Sequence, residues 1–457
     1  MKTHIRAIAT IAALAATLAL ARAEAPRFYA IKGARLVTAA GADIPTGTLV
    51  IRNGLIEEVG ADVQAPAGAV VIDGAGLTVY PGLVDMGTSA GLDVTVSQTP
   101  PANQRTTEEA ERWKRSVIFR PDLEAADHIK ADATELSRLA SAGITAVLAT
   151  PPGVVFKGRS ALVNVAAPDD EPQIGNVGDY RQGLQIVRTR VALHIEFPGN
   201  VRGDGYPAAL LGVISFVRQS FLDAQHQHAA GERYERVKTG ATRPAYDPSL
   251  DALQPALEGK LPVAFEANAA REILRALDMA KEFKLDPVIT GAGEADRVAA
   301  DLKTRGARVI YSLNFPVRPR TLAPDADEPI AALRARASAP KVPAALQSAG
   351  IVFAFASSGL REPRDFLRNA ARAVKEGLPR EAALLALTAD AARIAGAGDR
   401  VGTLEKGKIA NIVVTDMDLF DERVKIKHVF VGGRPVRVEA APAERRGRGS
   451  LPNFLDP

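Results

Sequence analysis

Residues 262–311 read PVAFEANAAREILRALDMAKEFKLDPVITGAGEADRVAADLKTRGARVIY, and they decide the fold. The stretch predicts a strand at 262–265, a helix at 269–283, a strand at 287–290, a helix at 294–304 and a strand at 307–311. The strand pieces are apolar throughout, as parallel strands covered on both faces are. The same unit appears upstream, where a helix at 131–142 closes on Gly143 and an apolar strand at 144–149 is stopped by Pro151-Pro152-Gly153. Downstream, an insertion rich in Pro, Asp and Arg (313–340) precedes a short helix at 343–348, a strand at 351–355 and helices at 363–375 and 379–387. Strand–helix alternation over roughly three hundred residues predicts an α/β protein built on a TIM (β/α)8 barrel. A doubly wound open sheet is the alternative, but no Gly-rich phosphate turn follows a first strand.

The flanks have a different rhythm. Residues 28–80 carry β-prone pieces at 30–37, 49–52, 55–59, 70–73 and 77–80, separated by Gly, Asn or Pro, and Asn53-Gly54 is a hairpin signal. β character returns at 409–415 and 426–431, with Gly432-Gly433 as a second hairpin turn. The expected architecture is therefore a barrel (81–395) inserted in a composite β-sandwich formed by both ends of the chain (24–80 and 396–438). A leader at 1–23 and a flexible tail at 439–457 bracket it.

The 457 residues are 47% hydrophobic and 24% charged, with a net charge of +4 and no cysteine, which excludes disulfides and thiolate sites. Lys2 and Arg6 precede an Ala/Leu/Ile run at 7–21, and Ala21-Arg22-Ala23 fits a signal-peptidase site. The run is too short to serve comfortably as an uncleaved anchor. Without the leader, 54 basic residues face 53 acidic ones, a net charge of +1. That balance gives no reason to expect nucleic acid. The expectation is a periplasmic or secreted protein with no membrane span after signal cleavage.

The stretch at 79–92, VYPGLVDMGTSAGL, is a strand running into the place of a metal site. With Gly377-Leu378, the run from Glu381 to Thr388, and VGTLEKGKIANIVV at 401–414, it makes the chain resemble the amidohydrolase superfamily, nearest to its imidazolonepropionase-like branch. The resemblance covers nearly all of the chain beyond the leader. In that family an Asp is common at the place of Asn411. The resemblance implies metal-assisted hydrolysis of non-peptide or dipeptide C–N bonds, with zinc or another divalent ion lowering the pKa of a bound water to about 7.

The family's ligands are a His-x-His after strand 1, a His ending strand 5, a His ending strand 6 and an Asp ending strand 8. Carried over, they fall on Gly87 and Ser89, on Glu266, on Gly291 and on Ser358. No imidazole remains, and a borderline divalent ion wants several such donors together. The expectation is no metal and no cofactor.

The remaining histidines and nearby acids are the candidate substitutes. His194 and Glu196, at strand spacing, form the one His–carboxylate pair near a strand end, although a hydrogen-bonded structural His is preferred. His226 and His228 are two apart on a helix and face different ways. His128 sits in a loop or helix start, and His428 in the returning β segment. Gly87-Thr88-Ser89-Ala90-Gly91 fits the G-x-S-x-G elbow of serine hydrolases, yet no helix is predicted directly after it. Glu266 with Glu294 could form a metal-free acid–base pair, although Glu294 reads as a helix start. His194, Glu196, Asn268 and Glu294 are the candidate substrate-binding residues. Residues 101–120, with Trp113, form a candidate lid or partner contact, or a solvated helix opened by a capping box at Thr106.

The resulting expectation is an amidohydrolase-type protein without its metal site, a non-catalytic binding or partner subunit. It would form a homo-oligomer, or a hetero-oligomer with an active relative, and could hold a peptide-like ligand. The alternative is an active C–N hydrolase with an unrecognised metal site or a metal-free one.

Overall fold

The structure, a computed structural model, describes residues 28–97, 99–101, 106–130, 133–165, 179–181, 184–238, 242–323 and 325–438. The leader at 1–23 and the tail at 439–457 lie outside the described residues.

The chain opens with β1 (Phe28–Leu36), β2 (Ile44–Arg52), β3 (Leu55–Gly60), β4 (Val70–Asp73) and β5 (Thr78–Pro81). The β2–β3 hairpin turns on Asn53-Gly54, both at positive φ (51° and 83°), as a type I′ turn requires. The alternating region follows: β6 (Leu83–Thr88), β7 (Ile144–Ala149), β8 (Phe156–Arg159), β9 (Ala161–Asn164), β10 (Asp179–Arg181), β11 (Leu184–Arg188), β12 (Leu193–Glu196), β13 (Val263–Ala267), β14 (Pro287–Gly291), β15 (Arg308–Ser312) and β16 (Phe353–Ala356). The chain returns through β17 (Ile412–Thr415), β18 (Ile426–Val431) and β19 (Arg434–Val436).

Both ends of the chain share one eight-stranded sheet, in which β17 pairs antiparallel with β5, Ile412 opposite Pro81 and Thr415 opposite Thr78. The β18–β19 turn at Gly432-Gly433 packs against the Asn53-Gly54 turn so closely that a Cβ on Gly433 would lie 2.6 Å from the Gly54 Cα. Buried amides tie this sheet to the alternating region. Asn411 Nδ2 donates to Asn164 Oδ1 (2.8 Å), Asn164 Nδ2 donates to Gln185 Oε1 (2.7 Å), and the Gly432 N–H donates to Asn411 Oδ1 (2.9 Å). Asn411 thus uses both ends of its amide.

The alternating region differs from the all-parallel barrel read from the sequence. Its strands lie in two sheets, β10-β11-β9-β7-β6 and β16-β15-β14-β13-β12-β8. No closed hydrogen-bonded ladder joins them among the described residues. β12 to β16 run parallel, as do β6 and β7, but β9 is antiparallel to β7 and β8 is antiparallel to β12. The reason is chain length. Residues 150–160 between β7 and its partner β9, with β8 among them, are too few for the crossover that a parallel pair needs, roughly a dozen residues or more. The chain turns back at Pro151-Pro152-Gly153 and crosses from one sheet to the other through Ser160.

The strands bury two separate faces. Met86, Leu148, Leu162, Ala264, Val288 and Ile310, drawn from both sheets, pack into one cluster. Leu83, Val147, Leu193, Phe265, Ile289 and Tyr311 pack on the other face, against helices such as α1 (Thr107–Ile118), α2 (Ala133–Ser141), α3 (Leu210–Arg236), α4 (Ala270–Phe283) and α5 (Arg364–Lys375). β16 comes alongside β6, where the Ser358 N–H donates to Gly87 O at 3.0 Å. The C-terminal ends of β6 and β16 therefore lie side by side.

The amide chain yields a prediction. Asn411→Leu strands Asn164 Oδ1 and the Gly432 N–H, at a cost of about 1–3 kcal/mol. Urea unfolding should show the loss, and an unchanged midpoint would mean the chain does not join the two parts.

Candidate functional site

The site begins at Asp85, a fully buried carboxyl on β6. Its Oδ1 accepts the N–H of Gly87 (3.2 Å) and, across the gap between sheets, the N–H of Ser357 (2.8 Å). Its Oδ2 has no hydrogen-bond partner among the described residues. Burial pushes the carboxyl pKa up to about 6, against the pull of the Ser357 and Gly87 hydrogen bonds.

Past Asp85 the strand ends carry little chemistry. A Cβ on Gly87 would meet the Ala356 Cβ at 3.1 Å, so the opposite strand leaves almost no room for a side chain there. Ser89 is exposed, and no helix forms between β6 and α1 among the described residues, so the serine-hydrolase elbow lacks its helix. Ser358 is exposed at φ 45°, a left-handed conformation uncommon for serine. Its carbonyl accepts from Asn314 Nδ2 at 3.1 Å.

β12 and β13 pair with Glu196 directly opposite Glu266. Between the two carboxylates lies Lys157, from β8. Its Nζ is 2.9 Å from Glu196 Oε2 and 2.5 Å from Glu266 Oε2, and its side chain is 12% exposed. Burial alone would lower the Lys157 pKa. The charges of Glu266 and Glu196 and their hydrogen bonds outweigh it and hold the ammonium above its ordinary value. The sequence reading missed Lys157. The available signal was a single lysine directly after the apolar Val154-Val155-Phe156.

His194 lies two residues before Glu196, buried, with Nε2 and Ser160 Oγ 2.9 Å apart. Burial, helped by the Lys157 charge, lowers its pKa to about 3, so the ring is neutral and hydrogen-bonded. His226 and His228 lie on α3, where His228 faces Glu232 at 3.5 Å; His128 is exposed in the turn Ala125–His128, and His428 is on β18.

Gly291, Asn268 and Glu294 form a second structural group. Gly291 has φ 85°, and a Cβ there would lie 2.5 Å from Asn268 Oδ1. The asparagine fills the room a side chain would need. Glu294 Oε2 accepts the Ala270 N–H (2.9 Å), and its Oε1 meets Arg297 at 2.8 Å. Glu272 Oε2 accepts the N–H groups of Asn268 and Ala269. Two carboxylates thus satisfy the start of α4, where unpaired N–H groups and the helix dipole favour negative charge. Glu294 does this rather than face Glu266, whose partner is Lys157.

These residues do not fit the family's metal. Among the described residues no three His, Asp or Glu side chains converge, and an ammonium already lies against the carboxylate at the strand-5 position. A cavity of about 1590 Å³ lies elsewhere, lined by Arg364, Leu367, Arg372, Phe420 and Lys425. The candidate lid is α1, and Thr106 and Glu109 do form its capping box. Lys114 Nζ fastens it by donating to Gly203 O (2.9 Å) and Gly205 O (2.7 Å).

Comparison with known proteins agrees with this frame. Residues 288–436 match the sequence model of the Amidohydrolase family. A 56-residue stretch is 45% identical to the dihydroorotase of Geobacter sulfurreducens, covering 12% of this chain and 13% of that one. A 38-residue stretch is 53% identical to the dihydroorotase of Pelobacter propionicus, covering 8% and 9%. The matched stretches thus span about an eighth or less of the length of these curated relatives. The fold resembles the crystal structure of an amidohydrolase from Thermotoga maritima MSB8 with a TM-score of 0.71 and 21% identity, over 90% of this chain and 99% of that one. A putative prolidase from Bifidobacterium longum aligns over 90% and 94% with a TM-score of 0.50 and 18% identity. The resemblance read from the sequence stands as a resemblance: residues 288–436 match the Amidohydrolase family model, and the fold is similar to that of an amidohydrolase.

Two predictions follow from the buried groups. Asp85 holds its proton in the folded state to about pH 6 but releases it near 3.8 when unfolded. Its contribution to stability is present below about pH 4 and is lost as pH rises through 6, about 3 kcal/mol in all. Asp85→Asn should therefore gain on the wild type between pH 4 and 7 in urea unfolding, and a constant difference would contradict the assignment. For His194 the sign reverses. The folded ring stays neutral to about pH 3, so its contribution is present above pH 6.5 and is lost as pH falls toward 3. Separately, Gly291→His should cost more than about 1 kcal/mol, since it forces a side chain into positive φ and against Asn268. Thermal unfolding measures it, and wild-type stability would show that the position is open.

Proposed function

We propose that this protein is an amidohydrolase-fold chain that does not hydrolyse C–N bonds through a metal, and that it serves as a binding or partner subunit. The observation that carries the reading is the lysine at the strand ends. The strand-5 position holds Glu266, paired to the Lys157 ammonium at 2.5 Å. Gly87, Ser89, Gly291 and Ser358 offer no imidazole or carboxylate around it. Asn268 and Ala356 crowd the space two such side chains would need.

The frame suited to such a role is a barrel. The shared interior of the two sheets and the Ser358–Gly87 hydrogen bond support a closed arrangement of eight staves, with β8–β9 as one bent antiparallel stave. The sheet built from both chain ends corresponds to the family's β-sandwich. The leader read at 1–23 sends the protein to the periplasm or outside the cell. The partner is a second copy or an active relative, and exposed Glu266 and Asn268 are the groups left to meet a small peptide-like ligand.

Metal analysis together with an activity assay tests the reading. The purified protein should hold well under one equivalent of zinc or manganese. It should also show no turnover of dihydroorotate or a prolyl dipeptide, the substrates suggested by the names of its relatives, with or without added metal. Stoichiometric metal, with turnover that a chelator abolishes, would establish the active hydrolase instead. Light scattering and affinity capture from native extract test the partner role, and a lone monomer in both would count against it.

A further inference from the structure

We propose that the Lys157 ammonium takes the place of a divalent cation between Glu196 and Glu266, and that a neutral residue at 157 turns the two carboxylates into a divalent-cation site. The inference rests on the reading that the wild-type site takes no metal, and it assigns that exclusion to one side chain.

Register supplies the geometry. Glu196 ends β12, Glu266 is the penultimate residue of the adjacent parallel β13, and the two lie directly opposite each other. Paired strands are about 4.8 Å apart, close enough for both carboxylates to reach one ion. They already converge on one, since Lys157 Nζ touches Oε2 of each, at 2.9 and 2.5 Å. Carboxylate–cation distances for hard divalent ions are about 2.0–2.6 Å, so an ion could replace the ammonium with shifts of less than about 1 Å.

Charge supplies the selectivity. With the lysine the group carries one net negative charge, and a divalent ion would have to approach the fixed ammonium at contact distance. Without it, the part-buried Glu196 and the exposed Glu266 carboxylates face each other unneutralised, an arrangement a divalent cation relieves. The side chains are 26% and 47% exposed, so water can reach the ion and fill its remaining positions. An all-oxygen shell of this kind suits manganese or magnesium better than zinc.

The experiment titrates Mn2+ into the full chain and reads the loss of the free-ion paramagnetic resonance signal. Wild type, Lys157→Met and Lys157→Gln are compared, with Glu266→Gln added to each variant as a control. The expected result is one extra equivalent bound by the Lys157 variants, at least tenfold more tightly than any ion on the wild type, and lost with Glu266→Gln. Binding no different from wild type in both variants would overturn the proposal, as would binding that survives Glu266→Gln. If both variants stay unfolded in saturating Mn2+, the carboxylates cannot accept the ion and the proposal is equally overturned. Metal on the wild-type protein sinks the earlier reading, whereas metal behaviour of the variants decides this one.

Discussion

One oxygen of Asp85 accepts two backbone N–H groups from different sheets, and the seam of the alternating region depends on it. Gly87 lies on the same strand, but Ser357 follows β16, 272 residues away in sequence. Beside this contact, the Ser358 N–H reaches Gly87 O and brings the last parallel strand alongside the first. A buried carboxyl with one unpartnered oxygen is costly, and the raised pKa expresses that cost. The seam gives Asp85 a structural task, while Gly87 and Ser89 beyond it offer no imidazole or carboxylate.

Beyond the seam, each strand end has been given a structural task. Asn268 packs against Gly291, Glu294 and Glu272 satisfy the start of α4, and His194 is a neutral partner of Ser160. Lys157, Glu196 and Glu266 form a charged cluster at the strand ends. Its ion pairs are partly shielded from water, where Coulomb attraction is stronger than at a free surface but desolvation opposes it. A lysine on a flexible stem can satisfy two carboxylates without the fixed geometry that a metal imposes.

Much of the fold was legible because it rests on local patterns. The apolar strands near 144–149, 263–267 and 287–291, the helix ending at Phe283 and the Asn53-Gly54 turn lie where period and turn chemistry place them. The reversal of β8–β9 was less legible, because its signal is a connection too short for a parallel crossover rather than any motif. The long helix α3 was seen only through the spacing of His226 and His228. At the site, resemblance located Glu266 and Gly291, but it could not show what fills the space around them. Lys157 is 109 residues from Glu266 in sequence, and no pattern along the chain links the two. That pairing arises from the sheet register.

The central claim is that an ammonium, and not a metal ion, neutralises the carboxylates at the strand ends. A crystal of the wild-type protein soaked in Mn2+ tests it most directly, with diffraction measured on the manganese absorption edge. The account predicts continuous density from Lys157 to Glu196 and Glu266, and no anomalous peak between those carboxylates. An anomalous peak bound to Glu266, with Lys157 turned away, would contradict it.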